Sequence, residues 1–480
     1  MGRKAYLPLL FMVFFSAVAF AQTGEIRGKV TEVGGKEGVP FASVAALLNG
    51  TQVQGAVTDF DGNFAIKPLN PGKYDVKVTC VGYNAKQVNG VLVTADKISF
   101  ANFEMSKGVA LKEVEVVEYT VPLIDKGSPS TAKTVTYEEI QAAPTRDVNS
   151  IASQTAGVYQ KDQGDALNIR GSRSDGTVYF VDGIKVRGSV GLPQKGQEQI
   201  TVITGGVPAQ YGDATGGIIS ITTRGPSREF STGLEVASSD MFDKYGYRLA
   251  AFDLSGPIAV RRDSAGNKSG QPYAGFFIAG EYQGDRDPNP PAIPMYVVKD
   301  DILNDVRQNP LVRSPYGTNY IHRSNFFTYN DLTTQSYRPN VGSKAVRLNA
   351  KLDLAPTNTM GVTFGGSFER TQTHDFIDIY SLMNFDQNPV STNTNYRVFG
   401  KMTQRFLSED KEKSSSNIKN VFYTIQADYS RNTGRSENAS FGDRVFEYGH
   451  IGNFKTYSQP FYIPQFVNDS LKLIQVANQD

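Results

Sequence analysis

Hydrophobic and polar residues alternate through the second half of the chain. In "AVRLNAKLDLAPTNTMGVTFGGSFERTQ", Val346, Leu348, Ala350, Leu352 and Leu354 fall on one face of an extended chain, and Arg347, Asn349, Lys351 and Asp353 fall on the other. After a turn at residues 355–359, Val362, Phe364, Gly366 and Phe368 continue the apolar face opposite Thr363 and Ser367. Similar runs predict strands near residues 230–239, 245–256, 273–284, 344–354, 360–370, 395–406 and 417–430. The connections after the third and fifth are long (285–343 and 371–394), and those after the second, fourth and sixth are shorter. Long loops on one side and shorter turns on the other are the rhythm of a membrane β-barrel; a soluble sandwich shares the alternation but not the rhythm. Tyr396, Tyr423 and Tyr429 are candidate interfacial aromatics, although the chain has no Trp.

The first hundred residues alternate over shorter runs. "GEIRGKV", "ASVAALL", "GAVTDF", "NFAIKPL", "KYDVKVTCVGY" and "GVLVTADKISF" are separated by Gly, Pro, Asn and Asp, which predicts a β-sandwich over residues 22–106. Asp59, Asp61 and Asn63 in "DFDGN" are spaced like early calcium ligands. Phe64 and Asn70 stand where an EF-hand loop needs Gly and Glu, so a hairpin turn is expected instead. Cys80 shares parity with Val76 and Val78, which predicts a buried thiol. Residues 107–127 then form a linker containing "LKEVEVVEYTVPLIDKG". Two readings of this stretch stay open: an edge strand or interdomain linker, and a strand-ready peptide for another protein's sheet edge.

Between residues 128 and 225 the period mixes. Thr136 and Glu139 make a capping box for a helix in "YEEIQAA", ended by Pro144, and a second helix carries Val148, Ile151 and Ala152 until Gly157. Four short strands follow in "ALNIRG", "TVYFVDGIKVRG", "QITVITGGV" and "GGIISITTRG", with Asp182 and Gly183 forming a two-residue hairpin turn.

Composition narrows the chemistry. Lys plus Arg number 49 and Asp plus Glu 48, a net charge of +1 that gives no footprint for nucleic acid. A single cysteine excludes an intramolecular disulfide, and the three histidines, His322, His374 and His450, form no zinc motif. No catalytic residue, metal or cofactor is expected. Arg3 and Lys4 precede an apolar run from Ala5 to Ala21 that ends in "AFA", which reads as a signal peptide over residues 1–21 and export from the cytoplasm.

The order "GKV", "PFASV", "TDFDGNF", "LNPGKYDVKV" and "GY" resembles the carboxypeptidase-regulatory-like domain, a transthyretin-type sandwich. "AGV", "NIRG", "VDGI" and "YGDATGGIISITT", in that order, resemble the plug domain of TonB-dependent outer-membrane receptors, with the regulatory-like domain in front as in the Bacteroidota type. The family's usual Arg-Gly is here Thr204, Gly205 and Gly206. The resemblance marks Arg170, Gly171, Asp182, Gly183, Tyr211, Gly212, Gly216 and Gly217 as plug-motif residues. It makes "QYGDATGG" the tight turn before the last plug strand, where small residues let plug backbone approach plug backbone and barrel wall.

The fold class expected is therefore mainly β: a transthyretin-like sandwich, a mixed α/β plug, and over residues 226–480 the first part of a transmembrane antiparallel barrel. About seven strands are visible, against about 22 in plugged transporter barrels, so the chain reads as the N-terminal part of a longer protein. The resemblance implies uptake of a glycan, peptide or siderophore-like nutrient across the outer membrane, driven by the proton-motive force. The implied partners are the inner-membrane TonB complex, outer-membrane lipid and, by family habit, a SusD-like surface lipoprotein. The complex would grip a TonB box at Glu113, Val114, Glu115, Val116 and Val117. The alternatives are a surface binding or adhesion protein on the same scaffold, and a truncated product without function.

Overall fold

The computed structural model describes residues 23–476 apart from 35–36, 49, 96, 109–113, 120–129, 187–189, 209–210, 213, 228, 263–271, 315–318, 358, 407–420, 439 and 445–460. The signal-peptide segment lies outside the described residues.

Nine strands build the sandwich: β1 (Gly24–Glu32), β2 (Ser43–Leu48), β3 (Thr51–Val57), β4 (Asn63–Leu69), β5 (Gly72–Thr79), β6 (Ala85–Val93), β7 (Ile98–Phe100), β8 (Phe103–Met105) and β9 (Val114–Glu118). One sheet has the order β4-β1-β7 with β8 also on β1, and the other has β3-β2-β5-β6-β9. Alternate residues meet between them: Ile26, Val30, Val44, Ile66, Val76, Val78 and Phe103 are all buried. Asp59 organises its turn, its carboxylate accepting the N–H groups of Asp61 (3.0 Å) and Asn63 (2.7 Å). That turn is not a hairpin as expected, because β3 and β4 belong to different sheets and the chain crosses the sandwich there. Cys80, just past β5, is only partly buried, since the core face ends with the strand. Of the readings of residues 107–127, the edge strand is the one present. Val114–Glu118 is the fifth strand of a sheet, in parallel register with β6 from Ala85↔Val114 to Asn89↔Glu118.

The plug follows with β10 (Thr131–Thr136), helices α1 (Tyr137–Ala142) and α2 (Val148–Ala152), and strands β11 (Val158–Gln160), β12 (Leu167–Ile169), β13 (Thr177–Val181), β14 (Ile184–Lys185), β15 (Gln197–Gly205) and β16 (Gly217–Thr223). The capping box predicted at Thr136 and Glu139 is present, and the Asp147 carboxylate caps α2 by accepting the Ser150 N–H at 2.7 Å. Five strands pair in the order β10-β15-β16-β13-β14. Ile140, Ile151, Leu167, Ile200, Val202, Ile219 and Ile221 are buried between this sheet and the helices.

The third region supplies a seven-stranded antiparallel sheet. It comprises β17 (Ser231–Ser238), β18 (Arg248–Ala259) and β19 (Ala274–Asp285), then a long excursion carrying β20 (Met295–Val298), α3 (Asp300–Gln308), β21 (Leu311–Arg313), β22 (Tyr320–His322) and β23 (Leu332–Gln335). The sheet resumes with β24 (Ser343–Leu354), β25 (Met360–His374), β26 (Val390–Phe406) and β27 (Val421–Glu437), in the order β17-β18-β19-β24-β25-β26-β27. Its burial is inverted relative to a soluble sheet. On β24, Asn349 is 2% exposed while Leu348 is 41% exposed; on β26, Arg397 is 7% and Val398 is 55%. Apolar side chains such as Leu234, Val236, Phe364 and Ile425 form the outer face, and Asp253, Ser255, Glu281 and Glu369 face inward. Tyr396 and Tyr429 stand together outside at 6.0 Å, as do Phe406 and Tyr423 at 5.9 Å. A separate unit, residues 437–480, contains one hairpin, β28 (Phe461–Val467) with β29 (Ser470–Val476).

An arginine at Leu348 separates a lipid-facing wall from a soluble sheet. Leu348→Arg should cost about 2–4 kcal/mol in lipid vesicles, read by denaturant titration. In a soluble sheet, a surface substitution of this kind would stay within about 0.5 kcal/mol.

Candidate functional site: the plug against its wall

Inward charges on the wall meet charges on the plug. Arg146, between α1 and α2, donates to Glu281 of β19 at 2.8 Å and pairs with Glu235 of β17. Arg347 of β24 donates to the other Glu281 oxygen at 2.8 Å and to Glu369 of β25 at 3.1 Å. Glu281 also accepts the backbone N–H of Gln194 at 3.3 Å, so one carboxylate with 1% side-chain exposure ties plug to wall from two plug segments. Removing Glu281 would leave Arg146 with Glu235 and Arg347 with Glu369, two partly buried cations each short of one counter-charge, which costs more than a surface pair contributes. Beside it, Asp253 of β18 lies 3.5 Å from Lys195 and 3.6 Å from Arg224, whose guanidinium stacks over Tyr137.

Asp182 makes the second tie. It occupies the left-handed region at φ +51, followed by Gly183 at φ +85, as the predicted two-residue hairpin turn requires. The turn aims its carboxylate at the end of β16, where it accepts the Thr223 N–H (3.0 Å) and hydroxyl (2.7 Å), and at Lys351 of β24 (3.0 Å). Gln426 of β27 donates to the Asp182 carbonyl at 3.2 Å. Burial pushes the Asp182 carboxyl up, but Lys351 and the Thr223 bonds outweigh it and hold the group below its ordinary value. Contacts to the plug thus run from β17 at one edge of the sheet to β27 at the other, and the sheet wraps the plug.

The other plug-motif residues shape the plug itself. Tyr211 is buried edge-on against Phe180 at 4.8 Å. A Cβ on Gly217 would lie 2.6 Å from Ile169 and 2.8 Å from the Ile203 carbonyl, so only glycine lets β16 close on its neighbours there. Gly216 meets Ser172, whereas Gly212 has open space around it. The expected approach of "QYGDATGG" to the wall is therefore not made by its described glycines; the close approach is internal to the plug. Arg170 (φ +50) and Gly171 (φ +77) form an exposed turn, with the Arg170 guanidinium lying over Gly205. Glu113 lies outside the described residues, whereas Val114, Glu115, Val116 and Val117 are in β9. Sequence reasoning missed Arg146, Lys195, Glu281, Arg347, Lys351 and Glu369. Their inward parity on predicted strands was visible for Arg347 and Lys351, but their partners were not.

A wrapped α/β plug held by buried ion pairs, inside a sheet whose apolar face is outward, has the architecture of a plug against part of a barrel wall. Comparison with known families agrees. Residues 25–106 match the "Carboxypeptidase regulatory-like domain" and residues 125–218 the "TonB-dependent Receptor Plug Domain". The chain thus carries a regulatory-like domain followed by a TonB-dependent receptor plug domain. A curated relative, the "TonB-dependent transporter Oar" of Myxococcus xanthus, is 28% identical over 237 residues, covering 45% of this chain and 22% of the relative. Among solved structures, the siderophore receptor PirA from Pseudomonas aeruginosa aligns at 20% identity and TM-score 0.37, covering 64% of this chain and 42% of that one. The PirA of Acinetobacter baumannii aligns at 15% and 0.38, covering 64% and 45%. The chain thus spans less than half of those solved structures and about a fifth of the curated relative.

Two outcomes test the interface. Glu281→Gln should destabilise the plug by on the order of 3–5 kcal/mol, because Arg146 and Arg347 lose their shared anion, and plug proteolysis in vesicles should accelerate accordingly. Asp182 has a depressed pKa, so its contribution is complete above its ordinary value of 3.8 and is lost as pH falls through the lower folded value. Protease sensitivity of the plug should therefore rise only below about pH 4, and Asp182→Asn should remove that acid step.

Proposed function

We propose that the protein takes part in energised uptake of a nutrient across the outer membrane, to which it is exported by its signal peptide. In this reading residues 22–106 are a periplasmic sandwich, 107–127 carry the coupling segment, 128–225 form the plug, and 226–480 contribute strands to the barrel wall. The inner-membrane TonB complex takes hold of Glu113 to Val117 and draws on the plug using the proton-motive force. The observation that carries the reading is the plug's attachment. It is held by a few buried, geometrically defined ion pairs rather than by a continuous apolar core. Displacement therefore requires breaking discrete ties at Glu281, Asp253 and Asp182. A force applied through β10, the first strand of the plug sheet, reaches those ties through β15 and β16.

The nutrient is bound from outside, by the loops and the outer side of the plug. The long excursion between β19 and β24 is braced for this by Arg338, which donates to both oxygens of the fully buried Asp287 carboxylate, and it exposes Tyr296, Tyr320, Phe326 and Tyr329. Such a surface suits glycans, peptides or siderophore-like ligands, and leaves room for a SusD-like lipoprotein cover.

Deleting residues 113–117 should abolish growth on the cognate nutrient while the receptor still reaches the membrane and retains surface binding, measured by complementing a deletion strain across a nutrient panel. Full growth by the deletion variant would favour the adhesion reading instead.

A further inference from the structure

The coupling strand is already paired. Tyr119 donates its N–H to the Asn89 carbonyl at 2.9 Å, which extends the parallel ladder of β9 on β6 by one residue. Backbone groups of successive strand residues point to opposite edges. Those of Glu115 and Val117 therefore face β6, and those of Val114, Val116 and Glu118 face away. The same alternation turns the Gln87 and Asn89 amides of β6 toward β9, consistent with the Gly90 N–H pointing the other way, to Asp75 at 3.0 Å.

β9 ends the sheet order, so among the described residues no strand covers its outer edge. Its described side chains are exposed: Val116 is 56% exposed and Val117, on the opposite face, 40%. An open edge strand with apolar side chains uncovered on both faces is a template for strand addition, of the kind that folded proteins ordinarily block. The segment around it, "LKEVEVVEY", carries three glutamates against one lysine, with Glu118 exposed.

We propose that the sandwich is a presentation platform: the energy-transducing partner adds an extended strand, apolar and flanked by basic residues, to the outer edge of β9 while β9 stays on β6. The inference rests on the reading of residues 113–117 as the coupling segment. Addition keeps every β6–β9 bond and makes new ones through Val114, Val116 and Glu118. Withdrawal of β9 would strip the edge of β6, and the partner would have to regain those bonds before gaining anything. The sandwich is itself fastened to the rest of the molecule. Gln199 of the plug donates to the Val93 carbonyl at 3.4 Å, Arg405 of the wall to Gln54 at 2.8 Å, and Lys73 pairs with Glu138 at 2.7 Å. The platform is thus held at the end of the barrel where the partner arrives.

Amide hydrogen exchange on the full-length receptor, with and without the purified periplasmic domain of its TonB-type transducer, reads both edges at once. The platform is supported if Val116 and Glu118 exchange roughly tenfold or more slowly on binding while Gln87 and Asn89 keep their protection. Loss of protection at Gln87 and Asn89, with the coupling segment protected, overturns it in favour of strand withdrawal while leaving the coupling segment correctly placed. Binding with no change anywhere in residues 114–119 overturns the coupling segment itself and the platform with it. Val116→Pro gives an independent arm, since it removes only an outward N–H, a place where an edge strand tolerates proline. It should weaken transducer binding at least about tenfold with Gln87 and Asn89 still protected; unchanged affinity would overturn the proposal.

Discussion

A carboxylate buried on the inner face of the wall sheet needs hydrogen-bonding partners and a counter-charge from inside the sheet. Glu281 is in that position, and it is received twice, by Arg146 of the plug and by Arg347 of the neighbouring strand. The rest of the arrangement follows from this constraint. The wall is polar inward because its apolar residues are taken up by the outer face, and the plug must then present cations, amides and hydroxyls rather than a hydrophobic surface. The apolar core of the plug lies within it, between its own sheet and helices.

The plug is fastened to the wall at a few ionic contacts. An apolar interface loosens gradually and resists in proportion to area, whereas a buried ion pair holds until its geometry fails. Asp182 adds a further condition, because it joins the β13–β14 turn, the end of β16 and the wall through one side chain. Any motion that separates β16 from the wall must pass through that carboxylate.

The sandwich packs an ordinary two-sheet core, and one of its sheets ends in Val114–Glu118. The stretch "VEVVE" was legible as strand-forming, with an edge strand or linker and a peptide for a partner's sheet both open. The structure shows the edge strand, because the free edge of β6 is the nearest acceptor for a strand that follows it closely in sequence.

Much of the fold was legible where the physics is local. Five of the seven wall strands lie within four residues of their predicted bounds, whereas β26 begins five residues earlier and β27 ends seven later, since alternation fixes a strand's existence better than its ends. The Thr136 capping box and the Asp182–Gly183 turn formed as read, because each depends on residues three or fewer apart. The reading that changed depends on which sheet a strand joins: the Asp59 turn crosses between sheets, and which sheet would receive β9 was likewise not legible. The ion network was hidden for the same reason. Arg146 and Glu281 are 135 residues apart, and nothing in either neighbourhood names the other. The sequence by itself determined the alternation of the wall strands, the Thr136 capping box and the Asp182–Gly183 turn, since these follow from a residue and its near neighbours. Only the tertiary structure decided which face was left exposed, which charges met each other, and where Val114–Glu118 was held, since these follow from distances closed by the fold.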